Sequence, residues 1–210
     1  RMQSLRALAL LVLVSGVTGQ LAEAGGHFRY ATMYWAKTSD PLHNTVEITV
    51  ESAWRRSYSA TYFTEAFENG GTVLKINGKD SPVVMFGDGK SQFLDEVKVV
   101  AFSEEEDWVL GNQTFTHTYA TPNNRGDPWM VSFKGCCRVA GIVNNPDDGM
   151  TDMGDPSWNM TTKIDLLEAT QSLRIVSLPV VHWDAMSAEL QSFELLPSGF
   201  PHGTRLKWRQ

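Results

Sequence analysis

Only two cysteines occur in 210 residues. That scarcity excludes a disulfide-dense mini-scaffold and any zinc site built on several thiolates. Basic residues are also short: Lys plus Arg number 18 against 24 Asp plus Glu, a formal net charge of −6. Nucleic acids and anionic membrane surfaces are held by basic patches that displace counterions, so neither is expected as a partner. Long apolar runs are missing. The run Ala7 to Val14 falls well below the roughly 20 residues that a bilayer-spanning helix needs. Catalytic signatures are missing as well. There is no Gly-x-Ser-x-Gly elbow and no redox Cys-x-x-Cys pair. His27, His43, His117, His182 and His202 show no His-Glu-x-x-His spacing. No enzyme and no obligatory cofactor is expected.

What is there is a globular composition, with 42% hydrophobic and 20% charged residues. Helical periodicity is scarce, while 17 glycines and 7 tryptophans point to β structure. Residues 1–19 read as a secretory signal peptide. A basic start at Arg6 precedes the apolar Ala7 to Val14, and Ser15 to Gly19 supply small residues for cleavage. Arg1 ahead of Met2 is read as one stray upstream codon. The expected location is extracellular, either secreted or at the cell surface. Two sequons agree with export, Asn112-Gln113-Thr114 and Asn159-Met160-Thr161, which makes Asn112 and Asn159 candidate glycan acceptors.

Strict alternation in Thr45 to Glu51 puts Val46, Ile48 and Val50 on one face and polar residues on the other. Further strands are predicted over Phe28 to Trp35, Thr72 to Ile76, Val83 to Phe86, Phe93 to Phe102, Thr114 to Tyr119, Trp129 to Phe133 and Cys137 to Val143. Asn77-Gly78 predicts a type I′ hairpin joining two of them, since both central positions need φ > 0. Gly87-Asp88-Gly89 predicts a second tight turn. Glu104 to Asp107 read as a solvated acidic loop. Strands at such short spacing, separated by Gly, Pro, Asn and Asp, predict an all-β antiparallel sandwich over 26–145. A turn-rich linker at 146–157 follows. Residues 158–210 read as a partial second β-rich unit, with strands over Asn159 to Leu166, Arg174 to Leu178 and Leu190 to Leu196. It is too short to close, stopping mid-strand near Leu206-Lys207-Trp208.

Met85-Phe86-Gly87-Asp88-Gly89, with Phe115-Thr116-His117-Thr118-Tyr119-Ala120-Thr121-Pro122 downstream, resembles the polycystin-type PKD repeat. That resemblance implies an immunoglobulin-like β-sandwich used outside cells for adhesion, spacing or carbohydrate contact. The family's Trp two positions before the Phe is absent, and Asn123-Asn124 stand where a Gly is expected. Phe28-Arg29-Tyr30, Ala53-Trp54-Arg55-Arg56 and Cys136-Cys137-Arg138 are similar to the N-terminal module of large multi-repeat secreted proteins. Ser192-Phe193-Glu194-Leu195 resembles the start of a cadherin-like repeat.

Candidate sites follow from residue chemistry. Cys136 and Cys137 can close a vicinal disulfide, pair with another chain, or pair with cysteines further along a longer protein. Asp147, Asp148, Asp152 and Asp155 could supply oxygen ligands to calcium, although their spacing matches no EF-hand. Trp35, Trp54 and Trp183 are expected inside sandwiches. Trp108 and Trp129 are expected beside loops, where flat aromatics can stack on sugars. The sequence therefore predicts a non-enzymatic structural or adhesion module with an extracellular protein or glycan as partner. The alternative is a carbohydrate-binding module of a larger secreted enzyme.

Overall fold

The computed structural model describes residues 27–40, 43–58, 73–75, 82–139, 157–176 and 196–198. Its strands in chain order are β1 (Phe28–Lys37), β2 (Asn44–Arg55), β3 (Val73–Lys75), β4 (Val83–Met85), β5 (Ser91–Phe93), β6 (Glu96–Ser103), β7 (Trp108–Tyr119), β8 (Trp129–Gly135), β9 (Trp158–Ile164), β10 (Arg174–Val176) and β11 (Leu196–Ser198). A five-stranded antiparallel sheet runs β1-β2-β7-β6-β3, and a four-stranded one runs β5-β4-β8-β9. With β1, β2, β7 and β6 as strands A, B, E and D, and β4, β8 and β9 as C, F and G, the order is that of an immunoglobulin sandwich. β3 extends the first sheet beyond β6, and β5 extends the second beyond β4.

The alternation in β2 does what period 2 demands. Val46, Ile48 and Val50 are fully buried, and they meet Val84, Val131 and Phe133 of the other sheet in one core. Burying each such aliphatic side chain contributes about 1.5–3 kcal/mol. Past Val50 the alternation stops, and Glu51, Ser52, Ala53 and Trp54 are all buried. The Trp54 indole donates to the Ser52 hydroxyl at 2.9 Å. The expected burial of Trp35 and Trp54 is observed, at 3% and 0% exposure; Trp183 lies outside the described residues.

The expected domain boundaries need correction. β9 pairs with β8 along its whole length, from Trp129↔Ile164 to Gly135↔Trp158. It is the last strand of the first sandwich rather than the first strand of a second unit. The reason is core closure. Trp158 stacks on Phe28 at 3.9 Å between ring centroids and packs edge-on against Trp54 at 5.9 Å. From β1, the Trp35 indole donates to the Lys163 carbonyl at 2.9 Å. Gly135 gives the Trp158 ring its place, because a Cβ there would collide with the indole. A sandwich ended at 145 would leave this side of the core open. Beyond β9, β10 pairs among the described residues with β11 in a two-stranded ribbon. Arg174 of β10 lies against the first sandwich, on the Tyr34 ring of β1 and the Glu51 carboxylate of β2. The expected linker (but for Ser157), most of the strand over Leu190 to Leu196 and residues 1–19 lie outside the described residues.

Two strand predictions also change. β3 pairs with β6, whereas β4 pairs with β5 and β8. The strands flanking Asn77-Gly78 therefore belong to opposite sheets and form no hairpin together. A two-residue turn with both central residues at positive φ occurs elsewhere: Arg125 at 57° and Gly126 at 99°, closed by reciprocal bonds between Asn124 and Asp127. The run Phe93 to Phe102 divides at Leu94-Asp95, because β5 and β6 lie in different sheets. Of Cys137 to Val143, the described residues contribute an isolated bridge, Phe28↔Arg138, and the Val139 N–H bonded to the Phe28 carbonyl.

Candidate functional site

At one end of the sandwich the Phe86 to Lys90 turn is tied to β7. The Phe86 N–H donates to the Lys90 carbonyl at 3.0 Å, closing the β4–β5 hairpin. Gly87 sits at φ 87°, and a Cβ there would come within 2.6 Å of the Met130 carbonyl oxygen, so a side chain is excluded twice over. Asp88 accepts the Lys90 N–H at 3.0 Å and the His117 Nε2–H at 2.9 Å. The His117 ring lies flat on Phe86, 4.0 Å between centroids and 5° between planes. The Tyr119 hydroxyl donates to the Phe86 carbonyl at 2.9 Å, and its ring stacks on Trp129 at 5.0 Å. Residues 86–89 and 115–119, read from the sequence as two separated pieces of one pattern, are thus one contact network.

Electrostatics follow the contacts. Burial raises the Asp88 carboxyl, but the Lys90 N–H, the His117 hydrogen bond and the charges of His117 and Lys90 outweigh it, so its pKa lies below the ordinary carboxylate value. Burial, with the Asp88 charge adding to it, pushes the Tyr119 phenol well above its ordinary value. These bonds hold the turn against β7.

The other end is organised around Asp107. Its φ of 54° is unusual for a non-glycine residue. Its carboxylate accepts the Ser57 N–H at 2.7 Å and the Ser57 hydroxyl at 2.6 Å. Its carbonyl accepts from the Arg56 N–H and the Arg29 guanidinium, each at 3.1 Å. Glu104 pairs with Arg56 at 2.9 Å, and Glu106 accepts the Trp108 indole N–H at 2.7 Å. The acidic loop is therefore a built corner, not only a solvated turn. Cys136 and Cys137 are joined as a vicinal disulfide. The Cys137 carbonyl accepts the N–H groups of His27 and Phe28 at 2.9 and 3.1 Å, anchoring the start of β1.

The remaining sequence-predicted residues are dispersed. Trp108 and Trp129 open β7 and β8 at opposite ends of the sandwich, and both are half-buried. β7 alone separates them by on the order of 35 Å, at about 3.3 Å per residue, so they make no shared sugar platform. Asn112 is half-buried in the central strand β7, and Asn159 is exposed on the edge strand β9. Asp147, Asp148, Asp152 and Asp155 lie outside the described residues. Among the described residues, no group of three His, Cys, Asp or Glu side chains is placed to hold a metal ion. No helix of the described residues is long and apolar enough to cross a membrane. Sequence reasoning missed the Glu51–Arg174 pair, 2.9 Å apart across 123 positions. Its only local signal was a glutamate in a strand that loses its alternation.

These features define a closed, all-β sandwich module of immunoglobulin-like order. Residues 29–167 match the family described as Integrin beta-like protein A-E, N-terminal, and the chain belongs to that family. The matched span ends just past β9, in agreement with the corrected boundary. Among relatives from Dictyostelium discoideum, Integrin beta-like protein C is 27% identical over 77% of this chain and 7% of its own length. Integrin beta-like protein A is 28% identical over 66% of this chain and 6% of its own, and Integrin beta-like protein E is 35% identical over 38% of this chain and 4% of its own. The chain thus spans less than a tenth of the length of these curated relatives. No solved structure matches. The polycystin-type resemblance rests on residues 85–89 and 115–122 alone.

Proposed function

We infer that this chain is a non-enzymatic extracellular adhesion module, exported by residues 1–19 and carried near the start of a long multi-domain protein. The observation that carries the reading is the match of residues 29–167 to the N-terminal family of integrin beta-like proteins. A sandwich whose turns are held by the Asp88 and Asp107 bonds supports the same reading, because a rigid scaffold presents its loops as a fixed surface. Recognition of an extracellular protein would use its loops and exposed sheet faces, which a rigid scaffold holds in register. Calcium at Asp147, Asp148, Asp152 and Asp155 would stiffen the segment after β8.

The test is made on the full-length protein in its own cells. Surface labelling and fractionation should find it at the cell surface or in the medium, without residues 1–19. Removal of residues 27–176 should weaken attachment to neighbouring cells or substratum while export continues. A cytosolic protein that still carries residues 2–19 would overturn the reading.

A further inference from the structure

The outer face of the four-stranded sheet carries little charge. β4, β5, β8 and β9 contain no acidic residue, and Lys134 and Lys163 are their only charges, in a chain whose net charge is −6. Val84, Val131, Phe133 and Ile164 are fully buried, so the residues alternating with them point outward. The outward side chains include three large apolar ones: Phe93 at 60% exposure, Met130 at 46% and Met85 at 40%. The ladder places Asn159 beside Lys134, Lys134 beside Val83, and Val83 beside Phe93, in one row across the face. Thr161 lies in the next row, beside Ser132, which in turn lies beside Met85.

The sequon Asn159-Met160-Thr161 fits this face. In a strand its first and third residues point the same way. Both are exposed here, while Met160 packs inward against the core. The other sequon is placed differently. Asn112 lies in a central strand between β2 and β6, next to Glu51, which is 2% exposed. The Thr114 hydroxyl of that sequon is bonded to Thr49 at 2.9 Å.

We propose that Asn159 carries an N-linked glycan, that Asn112 does not, and that this glycan lies back across the outer face of the four-stranded sheet over Met85 and Phe93. The inference rests on the extracellular reading above. From Asn159 to Phe93 the row crosses three strand spacings, about 14 Å, a span that a branched oligosaccharide covers. The sugars' C–H faces cover the aliphatic and aromatic side chains, their hydroxyls remain hydrated, and Lys134 stands between as a donor. Among the described residues the attachment point also lies on an edge strand, and an edge can be a template for another chain. The glycan closes that edge.

The test uses the full-length protein purified from the cells that make it. Peptide mapping with and without peptide N-glycosidase should find sugar on the Asn159 peptide, converted to Asp on release, and none on the Asn112 peptide. Enzymatic deglycosylation of the folded protein should raise binding of an apolar dye several-fold, and Phe93→Ser should remove most of that rise. Thr161→Ala should abolish the sugar, and Thr161→Ser should keep it. Exported protein with bare Asn159, or with sugar on Asn112, overturns the proposal and leaves the extracellular reading intact. A glycan whose removal leaves dye binding unchanged overturns the covering. Protein that never leaves the cytosol overturns both.

Discussion

His117 Nε2 donates to Asp88 Oδ2 across 29 positions of sequence, at 2.9 Å. The bond joins a turn of the four-stranded sheet to a strand of the five-stranded one. It acts between the two layers as a latch, reinforced by the Phe86 ring lying on the imidazole.

Replacing Asp88 by Asn keeps the shape and removes the charge. The folded carboxyl titrates below its unfolded value of about 3.9. Its contribution is complete above that value and is lost as pH falls through the folded one. Asp88→Asn should cost about 1–3 kcal/mol at neutral pH, and the gap should close in strong acid. Urea unfolding of both proteins at several pH values checks this. A gap that stays constant down to strong acid would refute the role of the charge.

Trp158 decides where the module ends. Trp158→Ala should cost about 3–5 kcal/mol, as for other buried aromatic truncations. A chain ended at 145 should lose its cooperative unfolding transition, and one ended at 176 should keep it. Calorimetry and near-ultraviolet circular dichroism distinguish the two. Cooperative unfolding of the 145-residue chain would restore the shorter boundary.

Gly87 and Gly89 share positive φ values of 87° and 91° but differ in surroundings. Gly87→Ala places a Cβ against the Met130 backbone, and Gly89→Ala meets nothing within 4 Å. The first should cost clearly more than the second, which should remain near the ~1 kcal/mol of a strained conformation. Equal losses in thermal melts would mean that conformation alone matters here.

Alkaline titration reads two phenols. Burial, followed by the Glu51 charge, pushes the Tyr30 pKa up to about 12, and Tyr119 titrates later still. A folded pKa raised above the unfolded value gives stability that is complete below about pH 10 and is lost as pH rises through the folded one. Ultraviolet difference spectra should therefore show these two phenols ionising only in strong alkali, with unfolding. Tyr119→Phe should remove one late-titrating phenol. It should also lower neutral stability by about 1 kcal/mol through the lost bond to Phe86. Ionisation of Tyr30 and Tyr119 near pH 10, in folded protein, would contradict the raised values of both.

Much of this was legible locally. The sequence alone determined that the chain is an antiparallel β protein, because a period of two separates Val46, Ile48 and Val50 from Thr45, Glu47 and Thr49 without reference to any partner strand. It also determined the turn at Gly87-Asp88-Gly89, where only residues of that kind tolerate the backbone, and the pieces of the latch at Phe86, His117 and Tyr119. Only the tertiary structure decided which strands pair. Asn77-Gly78 favours a hairpin, yet the strands on either side pair with β6 and β8, because core burial outweighs the roughly 1 kcal/mol scale of local preference. It alone placed β9, across a turn-rich segment that reads like a domain border, as the strand whose Trp158 closes the core. It alone set Arg174 against Glu51 and put Trp108 and Trp129 at opposite ends. Those relationships depend on neighbours in space, and spacing along one chain carries no record of them.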